Sequence, residues 1–312
     1  MGPAKTIVVC GPTASGKTSA SIHLAQAVDG EIVSADSMQI YCGMDIGTAK
    51  PTPDERRQVP HHLIDIRKPD EPYSAADFVR DADAAITDIR QRAKQAIIVG
   101  GSGMYIRSLV RGIFEGPPAS DEIRARLKER AGKDGVEALH QELAACDPEA
   151  AAKINPNDLR RITRALEVFE FTGAPISTLQ KQWEEQSDAS DYIVIGLRMP
   201  REELYDRINQ RVTDMFNAGL IKEVSSLVES GYRDALLKLR ALGYVETIDH
   251  IEGKTDLNKT IELIRRNTRR FAKRQGTWFR GEKDLTWVGV GRGDSAEDVA
   301  RRVLEVVASP GS

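Results

Sequence analysis

Cysteine is scarce in this 312-residue chain: there are three, Cys10, Cys42 and Cys146, and their spacing fits neither a zinc site nor a disulfide framework. A reducing compartment, the cytoplasm, is therefore expected. No apolar run is long enough to span a bilayer, which excludes a helical membrane protein. The first strand begins almost at once, leaving no room for a signal peptide. Internal repeats and low-complexity segments are absent. There is no excess of positive charge either: the net charge is −3, which weighs weakly against nucleic-acid binding. The basic residues are clustered, however, and their distribution counts for more than their sum. The length suggests about two domains, or one large domain with an insertion.

What is present is organised around GPTASGKT: Gly11, Pro12, Thr13, Ala14, Ser15, Gly16, Lys17 and Thr18. It fits G-x-x-x-x-G-K-[ST], and the apolar run Thr6-Ile7-Val8-Val9-Cys10 leads straight into it. A helical pattern follows through Ala20, Leu24 and Val28, until Asp29-Gly30 stops it. A strand, a glycine-rich turn and a helix N-terminus aim several backbone amides at one point, the geometry that holds phosphate oxygens. Lys17 is expected to reach the terminal phosphates and the Thr18 hydroxyl to sit on Mg2+. A diphosphate or triphosphate ligand is implied.

A second strand, Glu31 to Ala35, ends at Asp36-Ser37-Met38-Gln39. A carboxylate there opens into the crevice where open α/β sheets bind ligands, although Asp36 also suits a turn or helix cap. A loop follows from Gly43 to Pro51. His61-His62 are adjacent, a poor spacing for two ligands of one metal, and are read as structural or hydrogen-bonding residues. After a helix around Ala75 to Ala93, a third strand, Ala96 to Val99, runs into Gly100-Gly101-Ser102-Gly103. NTP-hydrolysing P-loop proteins usually end that strand with an acidic residue that helps hold magnesium, and this chain lacks one. Ser102 offers a hydroxyl in the same crevice, or is only a turn residue.

Gly116-Pro117-Pro118 marks a boundary, and the pattern is then helical to about Leu179. One helix puts Leu159, Ile162, Leu166 and Phe169 on its apolar side and Arg160, Arg161 and Arg164 on the other. A basic face of that kind is ordinarily solvated surface. A strand returns at Tyr192 to Leu197, then a helix from Pro200 through Leu204, Ile208, Val212 and Met215, with Arg207 and Arg211 four apart. A further helix after Gly219 runs to about Glu229. The segment Leu263 to Gly281 is the most basic of all, with Arg265, Arg266, Arg269, Arg270, Lys273, Arg274 and Arg280 around Trp278 and Phe279. Cations beside aromatic rings suit an unpaired nucleic-acid strand, and aromatics at a helix end suit a core equally well. A last strand near Leu285 to Val288 and a helix after Ser295 complete the pattern.

Together these stretches resemble the tRNA dimethylallyltransferases (tRNA isopentenyltransferases). The matching pieces, in the family's order, are GPTASGKT at Gly11–Thr18, ADSMQIYCGMDIGTAKP at Ala35–Pro51, HHLID at His61–Asp65 and VGGSGMY at Val99–Tyr105. They continue with RRITRALEV at Arg160–Val168, RVTDMFNAGLIKEV at Arg211–Val224, RALGY at Arg240–Tyr244 and KRQGTWFR at Lys273–Arg280. Ser102 departs from the family's usual threonine, keeping the hydroxyl and losing a methyl. No zinc-finger extension follows Arg280, so the resemblance is to the bacterial-type enzymes.

The resemblance implies an α/β fold: a P-loop NTPase-like parallel sheet flanked by helices, at 1–117 and 190–312, with an inserted all-α domain at 118–189 that grips the anticodon stem-loop of tRNA. It implies transfer of a dimethylallyl group from dimethylallyl diphosphate to the exocyclic amine of the adenine immediately 3′ of the anticodon, in tRNAs reading codons that begin with U. Asp36, Ser37, Met38, Gln39, Ser102, Arg124, Arg160, Arg161, Ile162, Thr163 and Arg164 are implied tRNA contacts. So are Arg240, Ala241, Leu242, Gly243, Tyr244, Val245, Lys273 and Arg274. Chemistry supports this independently. An adenine amine needs a base as the new bond forms, and Asp36 is the candidate. The leaving diphosphate needs its charge stabilised, and the loop amides, Lys17, Arg211 and Mg2+ on Thr18 supply that. Ser102 joins Asp36, Lys17 and Arg211 as an expected catalytic residue. A base must leave the stack before modification, and Ser37, Met38 and Gln39 are placed to line it. Such a reaction needs no γ-phosphate. The rivals are a small-molecule or nucleotide kinase, which the long basic helical insertion fits poorly, and a nucleotide-switched RNA-binding protein, which the missing acidic strand end disfavours. Nothing demands more than a monomer.

Overall fold

The computed structural model describes residues 5–112, 116–117, 120–186 and 189–309. In chain order the first elements are β1 (Thr6–Cys10), α1 (Lys17–Ala27), β2 (Gly30–Ala35), α2 (Pro53–Gln58), β3 (His61–His62), α3 (Ala75–Gln91), β4 (Gln95–Gly100) and α4 (Gly103–Arg111). Five helices follow: α5 (Asp121–Asp134), α6 (Val136–Cys146), α7 (Pro148–Lys153), α8 (Leu159–Thr172) and α9 (Ile176–Gln186). The chain then forms β5 (Tyr192–Arg198), α10 (Arg201–Asn217), α11 (Leu220–Glu229), α12 (Arg233–Leu239), α13 (Tyr244–Ile251), α14 (Leu257–Arg280), β6 (Leu285–Gly289) and α15 (Ala296–Ala308). It divides into two compact units, Met1–Val110 with Ala189–Ser312, and Arg111–Asp188. Of the expected boundary Gly116-Pro117-Pro118, the first two residues fall in the second unit and Pro118 lies outside the described residues.

In the first unit six parallel strands form one sheet in the order β3-β2-β4-β1-β5-β6. Every residue of β1 is buried, as expected of a parallel strand covered on both faces. Alternation sorts its side chains: Ile7 and Val9 join Ile97, Leu197 and the helices α1 and α15 on one face. Val8 and Cys10 face the other way, with Val33, Ile98, Phe78 of α3 and Ile106 of α4. Phe78 stacks on Tyr105 with ring centroids 4.5 Å apart.

Sequence periodicity missed β3, because two residues carry no pattern. It pairs with β2 through Ile32 and His61. His62 Nε2 lies 2.7 Å from an oxygen of buried Glu31, which Arg92 also pairs, so the histidines play the hydrogen-bonding part expected of them. From β1 the chain crosses β4 to reach β2, whereas β5 lies on the other side of β1. The reversal puts the switch point of the sheet, where open α/β folds bind ligands, at the C-terminal end of β1. A third cluster joins the loop residues Ile40, Tyr41 and Met44 to Val212, Val224, Tyr244 and Ile264 of α10, α11, α13 and α14.

Among the described residues, the second unit holds the helices α5–α9 and no strand. Leu127, Leu139, Leu143, Ile162 and Leu166 form its core. Glu167, fully buried on α8, accepts from the Ser120 amide at 2.8 Å and pairs with Arg124 at 2.9 Å and Arg164 at 2.6 Å. Burial pushes its carboxyl up, but the hydrogen bonds from Arg164, Arg124 and the Ser120 amide outweigh that and hold it below the usual glutamate range. Only the carboxylate is buried, the arginines being partly exposed, so losing one of them would leave Glu167 its remaining donors.

Candidate active site

The loop between β1 and α1 turns on left-handed residues: Ala14 has φ 65° and Gly16, the N-cap of α1, has φ 88°. Alternation of that kind folds successive amides toward one side, making an anion-binding nest at a helix N-terminus. The backbone N–H groups of Ala14, Gly16, Lys17 and Thr18 have no acceptor among the described residues. Neither does the buried Ser15 hydroxyl. Buried or half-buried donors are normally satisfied, so this concentration of unpaired ones marks the place of an anionic ligand.

Two cations border the nest. Lys17 Nζ donates to the Pro12 carbonyl at 2.7 Å. Burial, reinforced by the Arg211 cation and partly offset by Asp36, brings its pKa down from 10.5 to about 8. Arg211 of α10 donates to the Thr13 hydroxyl and to the Thr48 carbonyl, both at 3.2 Å. Burial lowers its pKa as well, with Asp36 acting in the opposite sense. An anion laid in the nest offsets the unfavourable burial of both cations.

Asp36 follows β2 directly. Its Oδ1 accepts from the amides of Met38 at 2.9 Å and Gln39 at 3.4 Å. The cap reading is thus correct for one oxygen, while Oδ2 has no hydrogen-bond partner among the described residues. Fixing one oxygen on the backbone aims the other. Ser102, after β4, accepts from the Ser37 amide at 3.0 Å, and its own amide donates to the Ala35 carbonyl at 3.2 Å. Its hydroxyl therefore holds the Asp36 loop. Gln39 is likewise engaged, bridging Ser34 to the Thr48 and Ala49 carbonyls. Of the segment after Asp36, Ser37 and Met38 are half-buried.

Two residues that join these pieces escaped the sequence reading. Gln275 of α14 accepts from the Thr13 amide at 2.8 Å and donates to the Gly101 carbonyl at 2.9 Å, tying the loops after β1 and β4 together. Glu223 of α11 accepts from the amides of Asp45, Ile46 and Gly47. Both lie inside stretches that carry the family resemblance, which was their only signal. Contacts spanning 262 and about 177 positions leave no local pattern.

The remaining expected tRNA contacts divide by burial. Arg160, Arg161, Arg240, Lys273 and Arg274 are exposed, and Thr163, Arg164, Leu242 and Val245 are half-buried. Arg124 is spent partly on Glu167. Ile162, Ala241, Gly243 and Tyr244 are buried. The side chains of Ile162, Ala241 and Tyr244 pack inside, so any contact these three and Gly243 make with tRNA would run through their backbone. Of the aromatic pair in α14, Phe279 is core, whereas Trp278 is 37% exposed with Arg107 5.1 Å over its ring.

Among the described residues no group of three His, Cys, Asp or Glu side chains could hold a metal. The donors that suit Mg2+ are the hydroxyls of Thr18 and Ser15, the latter buried with no hydrogen-bond partner among the described residues; they would leave most coordination to phosphate oxygens and water. No described helix is long and apolar enough to cross a membrane.

Known proteins bear on the assignment. A family model described as IPP transferase matches residues 39–282. The tRNA dimethylallyltransferase of Geobacter sulfurreducens is 48% identical over 284 residues, covering 91% of each chain. Its namesake from Geobacillus thermodenitrificans is 48% identical over 284 residues, covering 91% of this chain and 90% of that one. The full-length tRNA isopentenylpyrophosphate transferase of Bacillus halodurans has a fold of TM-score 0.70 at 40% identity, covering 97% of this chain and 96% of the other. A eukaryotic dimethylallyltransferase acting on tRNA matches with TM-score 0.76 at 28% identity, over 93% of this chain and 74% of its own. With a parallel sheet, an open phosphate-type loop and this degree of identity over most of its length, the chain belongs to the IPP transferase family, the tRNA dimethylallyltransferases.

Proposed function

We propose that the chain transfers the dimethylallyl group of dimethylallyl diphosphate to the N6 amine of the adenine immediately 3′ of the anticodon, in tRNAs reading U-starting codons. The observation that carries this reading is the pairing of an open amide nest, flanked by Lys17 and Arg211, with one carboxylate whose second oxygen is free. The nest suits the diphosphate and Asp36 suits the amine. The bond from the allylic carbon to its diphosphate oxygen breaks as the bond from N6 to that carbon forms. The electron pair leaves on diphosphate, where the loop amides, Lys17 and Arg211 meet the developing charge. The N6 proton passes to Asp36 Oδ2, while the Met38 and Gln39 amides keep the carboxylate oriented. Mg2+ bound with the diphosphate, held through the Thr18 and Ser15 hydroxyls, would add further charge neutralisation.

Ser102 acts in this scheme by holding the Ser37 amide, and the exposed arginines of α8 and α14 supply phosphate contacts for the anticodon stem-loop. A monomer in the cytoplasm is sufficient. The test is mass spectrometry of tRNA incubated with the protein, Mg2+ and dimethylallyl diphosphate. One dimethylallyl unit on the adenine 3′ of the anticodon is expected. A strict requirement for ATP, with phosphate transferred in its place, would overturn the reading in favour of a kinase.

A further inference from the structure

The loop Asp45 to Ala49 is held from outside itself. Glu223 sits in the first turn of α11, and its Oε2 accepts from the Asp45 amide at 3.1 Å and the Ile46 amide at 2.7 Å. Its Oε1 accepts from the Gly47 amide at 3.2 Å and from the Tyr244 hydroxyl at 2.6 Å. Four donors on one carboxylate is a near-complete set, and charge-assisted bonds of this kind are about twice as strong as neutral ones. Tyr244 is fully buried, and burial together with the Glu223 carboxylate pushes its phenol far above the usual range, so it remains a donor. The ring leaves no room for a side chain at position 47: a Cβ there would lie 2.4 Å from it.

The next residue of this loop faces the site. The Thr48 carbonyl accepts from Arg211 at 3.2 Å and from Gln39 at 3.3 Å. Arg211 reaches on to Thr13 in the phosphate loop, and Gln39 belongs to the segment whose amides hold Asp36. One carbonyl thus serves the arm directed at the donor's phosphates and the segment that carries the base.

We infer that Glu223, with Tyr244, is a positioning residue for the transfer reaction: by clamping the amides of residues 45–47 it fixes the Thr48 carbonyl, and through it sets Arg211 and the Asp36 segment in mutual register. The inference rests on the proposed use of the nest for the prenyl diphosphate. Neither side chain touches a substrate in this scheme. They act through backbone geometry, and a misplacement of about 1 Å in a reacting pair can cost about a hundredfold in rate.

The test uses Glu223→Gln and Tyr244→Phe in the full-length protein, each also combined with Arg211→Lys. In Glu223→Gln an amide NH2 replaces one carboxylate oxygen and faces a donor, so the clamp is broken at similar volume. Single-turnover prenylation of tRNA is expected to fall by about ten- to a hundredfold, with a raised KM for dimethylallyl diphosphate and unchanged tRNA affinity. Tyr244→Phe is expected to act in the same direction and less strongly. The decisive reading is the double-mutant cycle: on the Arg211→Lys background, Glu223→Gln should add little further loss. Full additivity, or parallel loss of tRNA affinity and thermal stability with no change in the chemical step, overturns the inference and leaves Glu223 a fold residue. If Glu223→Gln does not fold, the Tyr244→Phe cycle decides alone. Failure of the wild-type protein to prenylate tRNA is a separate result, and it refutes the functional reading instead.

Discussion

Two loops in this molecule gather successive backbone amides toward one point, and they treat the resulting positive potential in opposite ways. In residues 45–47 the chain supplies its own anion, Glu223, and every amide in the cluster is satisfied. In residues 14–18 it supplies cations instead, Lys17 and Arg211, and leaves four of the five amides, those of Ala14, Gly16, Lys17 and Thr18, without an acceptor among the described residues. The first arrangement is locked and the second waits for a ligand. A glycine-rich turn by itself does not distinguish them; what does is whether a carboxylate reaches the amides.

The contrast is broken most severely at Lys17. Lys17→Ala should abolish transfer, since the nest loses the cation that meets the leaving group. The thermal transition should stay or rise slightly, because a half-buried, partly desolvated ammonium is removed. Near-normal turnover would mean that the open loop is not the diphosphate site. Next comes Asp36→Asn, which keeps the cap to Met38 but cannot take the N6 proton. Turnover should fall about a hundred- to ten-thousandfold, with both substrate affinities changed far less. Single-turnover rates across a magnesium series separate this from the alternatives. Rescue by extra magnesium would make Asp36 a metal-linked residue, and joint loss of stability and affinities would leave only the cap.

Two milder tests sharpen the difference. Lys17 has its pKa depressed in the fold, so the fold disfavours its charged form: the cost is full below about pH 8 and is relieved as pH rises toward the ordinary lysine value. A bound diphosphate reverses that preference. Donor affinity should therefore weaken by up to about tenfold per pH unit above pH 8, with proton uptake on binding. Calorimetry in two buffers of different ionisation enthalpy measures the uptake, and none at pH 8.5 would contradict it. Smallest of all, exposed Arg270→Glu on α14 should weaken tRNA binding without altering donor affinity. It should lower the log–log salt slope by about one unit, and an unchanged slope would make that face ordinary solvated surface.

The open loop was legible in the sequence because everything it needs is contiguous: strand, glycines, Lys17 and helix lie within 27 residues of the start. Asp36 and the glycines after β4 were legible from strand ends. Glu223 and Gln275 were not, since each works across the fold on partners that no periodicity links to it. Local signals were also overlooked: Thr52-Pro53-Asp54-Glu55 is a capping box with proline in the first turn, and it starts α2. Ile162 is instructive in another way. Its place on the apolar stripe of α8 indicated core, the resemblance indicated tRNA contact, and its burial follows the stripe.

Gly100 carries one more consequence. It is the last residue of β4, paired with Ala35 and Cys10, and a Cβ built on it would fall 2.0 Å from the Ala35 carbonyl oxygen. An aspartate cannot be installed there without prising β2 from β4 beside Asp36. The acidic strand end on which nucleotide hydrolysis depends is thus shut out by backbone contact as well as missing from the sequence. The barrier is built into the sheet itself, at the point where β2 and β4 pair.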